Sequence, residues 1–206
     1  MSTNVELSVW DLVVMGGWLM IPLFLLSVLG IYIIVERWFA LDKAQKQNRA
    51  FMTFLNRFTE GKPTGKIEDF DAPLAETIAK GMKYRHLSVA ELRNIMENTA
   101  NATVASLEKG LSLLATVSSI APMIGFLGTV VGMVQAFYDM SLAGNNINIT
   151  LLSRGIYTAM ITTVAGLIIG IITLFGYNIL VAKTNRIADE MDKAVEKFIE
   201  AQLKSK

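Results

Sequence analysis

The 206-residue chain has no cysteine and a single histidine, His86, and only 18% of its residues are charged. Without cysteine there can be no disulfide framework, thiolate metal site or Cys nucleophile. One histidine rules out a His-rich metal site and a Ser-His-Asp triad within one chain. His86 sits just before a helix-capping sequence and reads as a surface residue. Nineteen Lys and Arg against eighteen Asp and Glu leave a net charge of +1. That balance gives no basic footprint for nucleic acid and no field for an acidic substrate. Soluble enzyme classes largely fall away, and no enzymatic activity, metal or cofactor is expected.

What the chain has in excess is apolar surface, 52% of its residues. Charge is absent from Leu12 to Val35, Gly110 to Tyr138 and Gly155 to Ala182, windows of 24, 29 and 28 residues. Each exceeds the ~20 residues that cross a bilayer as a helix. The windows lack period-2 alternation, so they predict helices and not barrel strands. The expected fold is therefore an all-α membrane protein with three transmembrane helices, 12–35, 110–138 and 155–182. The first is read as a retained span and not a signal peptide: no Lys or Arg precedes it, it is too long, and no small-residue cleavage site follows.

Outside the spans, Lys and Arg number none before Leu12, twelve in 36–109, one (Arg154) in 139–154 and six in 183–206. The positive-inside bias then places residues 1–11 and the 139–154 loop in the periplasm, and 36–109 and 183–206 in the cytoplasm. Segment 36–60 carries Trp38, Leu41, Phe51, Phe54, Leu55 and Phe58 among charges, an amphipathic helix leaving the first span. Gly61-Lys62-Pro63-Thr64-Gly65 ends it. A short helix is expected over about 73–84, with Leu74, Ile78 and Met82 on one face. Ser88-Val89-Ala90-Glu91 is a capping box. No proline follows before Pro122, so one unbroken helix is expected from about 88 to 138. The tail extends the third span inward, with Ile187, Met191, Val195, Phe198 and Leu203 along one face. These apolar faces need partners, which points to self-association. Glu36-Arg37-Trp38 reads as an interfacial anchor of charge and belt aromatic. Asn148-Ile149-Thr150 matches a glycosylation sequon, a match that short polar loops give by chance.

The first span is apolar almost throughout and can face lipid on most sides. The other two carry stripes of small residues. Ser118, Pro122, Gly125, Thr129, Gly132 and Ala136 step by three and four along the second, with Gly128 and Gly132 forming a GxxxG match. Gly155, Ala159, Thr163, Gly166, Gly170 and Thr173 do the same along the third, with a GxxxG match at Gly166 and Gly170. The glycines and Pro122 read as close packing between these helices. The threonines are distinguished by depth. Thr129 lies 20 residues past Lys109 and 10 before Asp139, and Thr163 lies 20 before Lys183 and 9 after Arg154. In antiparallel helices both then sit roughly 15 Å from the outer charges and roughly 30 Å from the inner ones. With Thr162 they form a band of hydroxyls that can hydrogen-bond but cannot carry charge near neutrality. Intramembrane proton relays ordinarily use Asp, Glu or His, and the three spans contain none. If protons or ions pass here, the titrating group belongs to another polypeptide.

The run Ala121-Pro122-Met123-Ile124-Gly125-Phe126-Leu127-Gly128-Thr129-Val130-Val131-Gly132-Met133 is similar to the signature of the ExbB/TolQ/MotA proton-channel family, and to its ExbB branch most. Thr163-Val164-Ala165-Gly166-Leu167, Tyr177-Asn178, Glu36-Arg37 and the N-out three-helix plan resemble it too. The resemblance implies an inner-membrane subunit forming a homo-oligomeric ring, in ExbB a pentamer, around the spans of an ExbD-type partner. That partner's intramembrane aspartate would take up and release protons while Thr129 and Thr163 face it. The flow would drive a TonB-type protein serving outer-membrane transporters. Two departures stand out. Many ExbB sequences have an acid where this chain has Thr158, counted here with Thr129, Thr162 and Thr163 as channel-lining, and this puts a subunit-borne proton step near the outer mouth in doubt. Many also have Ala-Ile-Pro where this chain has Gly170-Ile171-Ile172, implying a straighter third helix. TolQ and gliding or flagellar stators share the core motif, although MotA typically has four spans. An autonomous transporter fits poorly with spans lacking charge and inverted repeats; a passive scaffold for another membrane protein is the remaining alternative.

Overall fold

The computed structural model describes residues 16–59, 67, 70–142 and 149–204. The expected N-terminal segment 1–11, the start of the first apolar window at 12–15, the Gly-Pro break at 61–65 and Asn148 of the sequon lie outside the described residues. Five helices follow in order: α1 Met20–Thr59, α2 Pro73–Lys83, α3 Val89–Leu107, α4 Leu111–Leu142 and α5 Ile149–Lys204. No strand occurs among the described residues. Three of the helices, α1, α4 and α5, are long and apolar enough to cross a membrane. Only 22%, 22% and 28% of their most apolar windows are buried within the chain. Phe24, Phe126, Ile171 and Phe175 stand more than three-fifths exposed, a surface that water would penalise and hydrocarbon would not. The protein is an all-α membrane protein.

The chain divides into two compact units. One comprises α1 up to Ile34 together with Leu113–Tyr177; the other comprises Val35–Ser112 and Asn178–Lys206. In the first, Met20, Leu23 and Leu26 of α1, Ala121 and Ile124 of α4, and Ala165 and Ile169 of α5 form the common core. α1 begins only at Met20, later than the apolar window, because Gly17 turns the chain with φ +72°. α4 runs to Leu142 and α5 starts at Ile149, so the helices extend into the expected 139–154 loop. Helix α1 is seated by small residues that its sequence hides: a methyl on Gly30 would come within 2.5 Å of Thr173 Cγ2, and one on Gly176 within 2.5 Å of Ile34 Cδ1.

In the second unit α1 continues as an amphipathic helix, burying Leu41, Phe51, Phe54 and Leu55. Phe70 packs edge-on to Phe51 at 5.4 Å between ring centroids. Leu74 and Ile78 of α2 are fully buried, as are Leu92 and Met96 of α3 and Ile187 and Met191 of α5. Gly81 is where these helices meet most closely, since a methyl there would lie 2.7 Å from Met96 Sδ and 3.0 Å from Phe198 Cε1. The apolar tail face is therefore covered by the chain's own α2 and α3, with Leu203 left exposed. Apart from Leu203, these faces are buried by intramolecular packing and so give no ground for self-association.

The capping box forms with both bonds: Ser88 Oγ accepts from Glu91 N at 3.3 Å, and Ser88 N donates to Glu91 Oε2 at 3.1 Å. The helix it starts does not run unbroken into the second span. It stops at Leu107; Glu108 N donates back to Val104 O, and Gly110 adopts φ +87° before α4 begins at Leu111. Glycine is the residue that takes this left-handed conformation without a Cβ penalty, so it can end a helix where no proline does.

The Glu91 carboxyl is held below the ordinary carboxylate range, first by its bond from the Ser88 hydroxyl and then by the Ser88 backbone N–H. A group whose pKa is lowered on folding contributes fully above the unfolded value of ~4.3 and loses that contribution as pH falls through the folded value. Thermal melts followed by circular dichroism should therefore show a carboxylate-dependent loss of stability below about pH 4 that Ser88→Ala reduces. Identical pH profiles for the two proteins would deny the capping box this role.

Candidate functional site

The site lies in the first unit, where α4 and α5 approach backbone to backbone. At Gly125 an added methyl would stand 2.8 Å from the Thr162 carbonyl oxygen, 3.1 Å from Gly166 Cα and 3.2 Å from Thr163 Cα. At Gly166 it would stand 2.6 Å from Ala121 O and 2.9 Å from Gly125 Cα. Gly132 meets Ala159 at 2.8 Å and Gly155 meets Ala136 at 2.5 Å, while Gly128 is filled by the Thr162 side chain itself. Gly170 lies against the Pro122 ring, 2.5 Å from Cγ, and 3.2 Å from the Ser118 carbonyl. Pro122 has no N–H to offer that carbonyl, and α4 nonetheless continues through it. Pro122, Gly125, Gly128, Gly132, Gly166 and Gly170 thus all lie at one helix–helix contact.

This contact sets the positions of the threonines. Thr162 is buried at 2% exposure, and its Oγ1 donates to Ala159 O at 2.7 Å. Thr163 Oγ1 crosses to the other helix and donates to Gly125 O at 2.8 Å. The carbonyl it reaches is accessible because residue 125 has no side chain. Thr129 stands half-buried beside this layer, one residue from Gly128, its Oγ1 donating to Phe126 O at 2.6 Å. Thr158, one turn toward the start of α5, is half-buried and lines a crevice with Gln135. Thr129, Thr162 and Thr163 occupy one layer of the antiparallel pair, with Thr158 a turn away. Each of those three hydroxyls donates to a backbone carbonyl and keeps oxygen lone pairs for an incoming donor. Asp139 and Arg154 are the only charged residues in 16–34 and 113–177, and both lie beyond this layer.

In the second unit, Glu36 and Arg37 pair with each other at 2.9 Å, Arg37 the more buried of the two. Sequence reading missed what stands beside them. Lys183 Nζ sits 3.4 Å from the centroid of the Trp38 ring and 3.9 Å from Asp42 Oδ1, and Lys46 bonds Asp42 Oδ2 at 2.8 Å. The Asp42 carboxyl is held below its usual range by the Lys46 bond first, with the charges of Lys46, Lys183 and Arg49 adding to it. The available signal is that Lys183 and Trp38 both fall at the first charges ending an apolar window. His86 is exposed, as expected. No group of three or more Asp, Glu, His or Cys able to hold a metal occurs among the described residues.

Residues 69–193 match the family model described as the MotA/TolQ/ExbB proton channel family. An ExbB-like biopolymer transport protein of Synechocystis sp. is 31% identical over 180 residues, spanning 84% of this chain and 71% of the relative. The Tol-Pal system protein TolQ of Haemophilus influenzae is 26% identical over 190 residues, spanning 84% and 82%. The biopolymer transport protein ExbB of Neisseria meningitidis serogroup A is 24% identical over 185 residues, spanning 82% and 84%.

The geometry separates packing from hydrogen bonding at the contact. Gly128→Ala drives a methyl into Thr162 and should cost about 1–3 kcal/mol, the usual range for overpacking. Thr163→Val removes one interhelical bond of a kind that averages ~0.6 kcal/mol in membranes. Unfolding of the purified protein in detergent should rank Gly128→Ala as clearly the more damaging; equal effects would mean the helices are further apart than described.

Proposed function

Because the chain belongs to the MotA/TolQ/ExbB proton channel family, we propose that it is the wall-forming subunit of an inner-membrane proton channel that converts the proton-motive force into mechanical work. In this reading it is a multi-pass protein with residues 1–11 and the 139–154 loop in the periplasm, and 36–109 and 183–206 in the cytoplasm. Several copies, in the ExbB pattern a pentamer, surround the spans of an ExbD-type single-span partner carrying an intramembrane Asp. The motion is passed to a TonB-type protein that works outer-membrane transporters, and lipid covers the outside of the ring.

The observation that carries this reading is the hydroxyl layer with no acid in it. Thr129, Thr162 and Thr163 are held at one depth by the glycine contact, and 113–138 contain no charged side chain. A wall of this kind can solvate a moving proton but cannot store one. The carboxylate must come from the partner, whose neutralised state could then move past a surface holding no opposing charge. Each charge crossing supplies about 2.3 kcal/mol per 100 mV from the electrical component. A TolQ-like role in envelope maintenance or a gliding-type stator is the alternative, the first of these supported by 26% identity to TolQ against 31% to the ExbB-like relative of Synechocystis sp.. Both readings use the same channel wall.

Reconstituted alone in vesicles under a pH gradient, the chain should carry negligible proton flux, and flux should appear when a single-span partner with an intramembrane carboxylate is added. Substantial conduction by the chain alone would overturn the borrowed-carboxylate mechanism. In the two-component vesicles, Thr129→Val and Thr163→Val should leave assembly intact and lower flux. Unchanged flux in both would return the threonines to a packing role.

A further inference from the structure

The outer end of the first unit contains a crevice of about 220 Å³ between the turn before α1 and the α4–α5 pair. It is lined by Gly16, Gly17, Trp18 and Leu19 on one side, and on the other includes Gln135, Thr158 and Thr162. Its volume is far above the ~10–15 Å³ that admits one water, and the Gln135 amide and the two threonine hydroxyls give water polar partners. Gly128 and Thr162, the pair in closest contact at the hydroxyl layer, also line it. At the other limit, Gln135 Nε2 donates to Asp139 Oδ1 at 2.8 Å. That bond ties the Gln135 side chain to the carboxylate and leaves its amide oxygen able to accept from water.

Resting on the channel reading above, we infer that Asp139 is the proton-collecting residue of this subunit and that the crevice is the water-filled entry from it to the threonine layer, with Gln135 a positioning residue. Asp139 and Arg154 are the only charged residues in 16–34 and 113–177, and Tyr138 and Tyr157 are the phenols nearest them in sequence. Asp139 is thus the one carboxylate among the described residues of this unit. A hydronium ion in the outer medium gives its proton to the free oxygen of Asp139, leaving water. The carboxyl then passes the proton to a water of the crevice, restoring the carboxylate, and the proton ends on the partner's carboxylate opposite Thr129 and Thr163. No other reactant is needed. The glycine turn explains how the crevice stays open. Gly17 takes φ +72° with nothing within 4 Å of its absent side chain, so the turn lies over the crevice without filling it.

Two measurements on the full complex test this. The chain has no cysteine, so Thr158→Cys introduces a unique thiol. In intact membranes it should react with a charged, membrane-impermeant methanethiosulfonate applied from outside, whereas Phe137→Cys, on the exposed apolar face, should not. Equal protection of both would mean a dry crevice and would overturn the inference. In vesicles holding the chain and its single-span partner, Asp139→Asn should lower proton flux about tenfold, the lower end of what charge focusing gives. Asp139→Glu should retain flux, and concentrated mobile buffer outside should restore it to the Asn variant, because buffer replaces a collector but does not repair a misfolded wall. Flux unchanged in Asp139→Asn, or lowered and not restored by buffer, would overturn the collecting role. Absent flux from the unsubstituted pair, with Thr158→Cys still labelled, would remove the channel reading and the collecting role together while leaving the crevice wet.

Discussion

The backbone contact of α4 with α5 at Gly125 and Gly166 determines most of what the membrane unit can do. Hydrocarbon is as apolar as the side chains it touches, so no hydrophobic term pulls two spans together, and van der Waals contact must do it. Such contact is strongest where side chains are absent. Gly125 Cα approaches within 2.9 Å of where a Gly166 methyl would stand, and the same closeness brings the Gly125 carbonyl within reach of Thr163. A larger residue at 125 would separate the helices and carry the carbonyl out of Thr163's reach at once. Packing and polar placement are therefore one constraint: the glycines set the distance, and the distance assigns the threonines their bonds.

The cytoplasm-directed part of the chain, as the proposed topology has it, relies on a different force. Its core of Leu41, Phe51, Leu74, Ile78, Met96 and Met191 is closed to solvent, so it is stabilised by burial from water in the ordinary way. Helices α1 and α5 each contribute residues to both units without a break. The break between α3 and α4 at Gly110 lies within the second unit.

How far the sequence discloses this depends on the kind of interaction. Charge-free windows reveal three spans because the bilayer imposes a length on them, and the periodic stripes show where α4 and α5 meet because close approach demands small residues. The capping box at Ser88 and Glu91 is equally visible, being a local bond between fixed positions. The break at Gly110 was missed because a single glycine inside an otherwise helical pattern is compatible with continuation, and only the φ it adopts decides. The destiny of the tail's apolar face was missed for another reason. Periodicity shows that Ile187, Met191 and Phe198 need a partner, but not that α2 and α3 of the same chain fold back to provide it. The pairings of Trp38 with Lys183 and Gly30 with Thr173 join residues more than a hundred positions apart, and no local pattern connects them.

The choice of hydroxyls over acids in the α4–α5 layer has its own energetic logic. A carboxylate in the middle of a span costs about 2.5–3.5 kcal/mol on insertion scales, and every copy in a ring would incur it whether or not a partner were present. A threonine incurs little, because its hydroxyl bonds its own or a neighbouring backbone while it waits. Thr129 donates to Phe126 O and Thr162 to Ala159 O, both on their own helices. Such a bond can be exchanged for one to water or to a partner oxygen by rotation about χ1, with no charge moved through hydrocarbon. In the proposed channel the wall is then stable as it stands and responsive when a carboxylate arrives, and the cost of an intramembrane charge falls only on the partner that carries the acid.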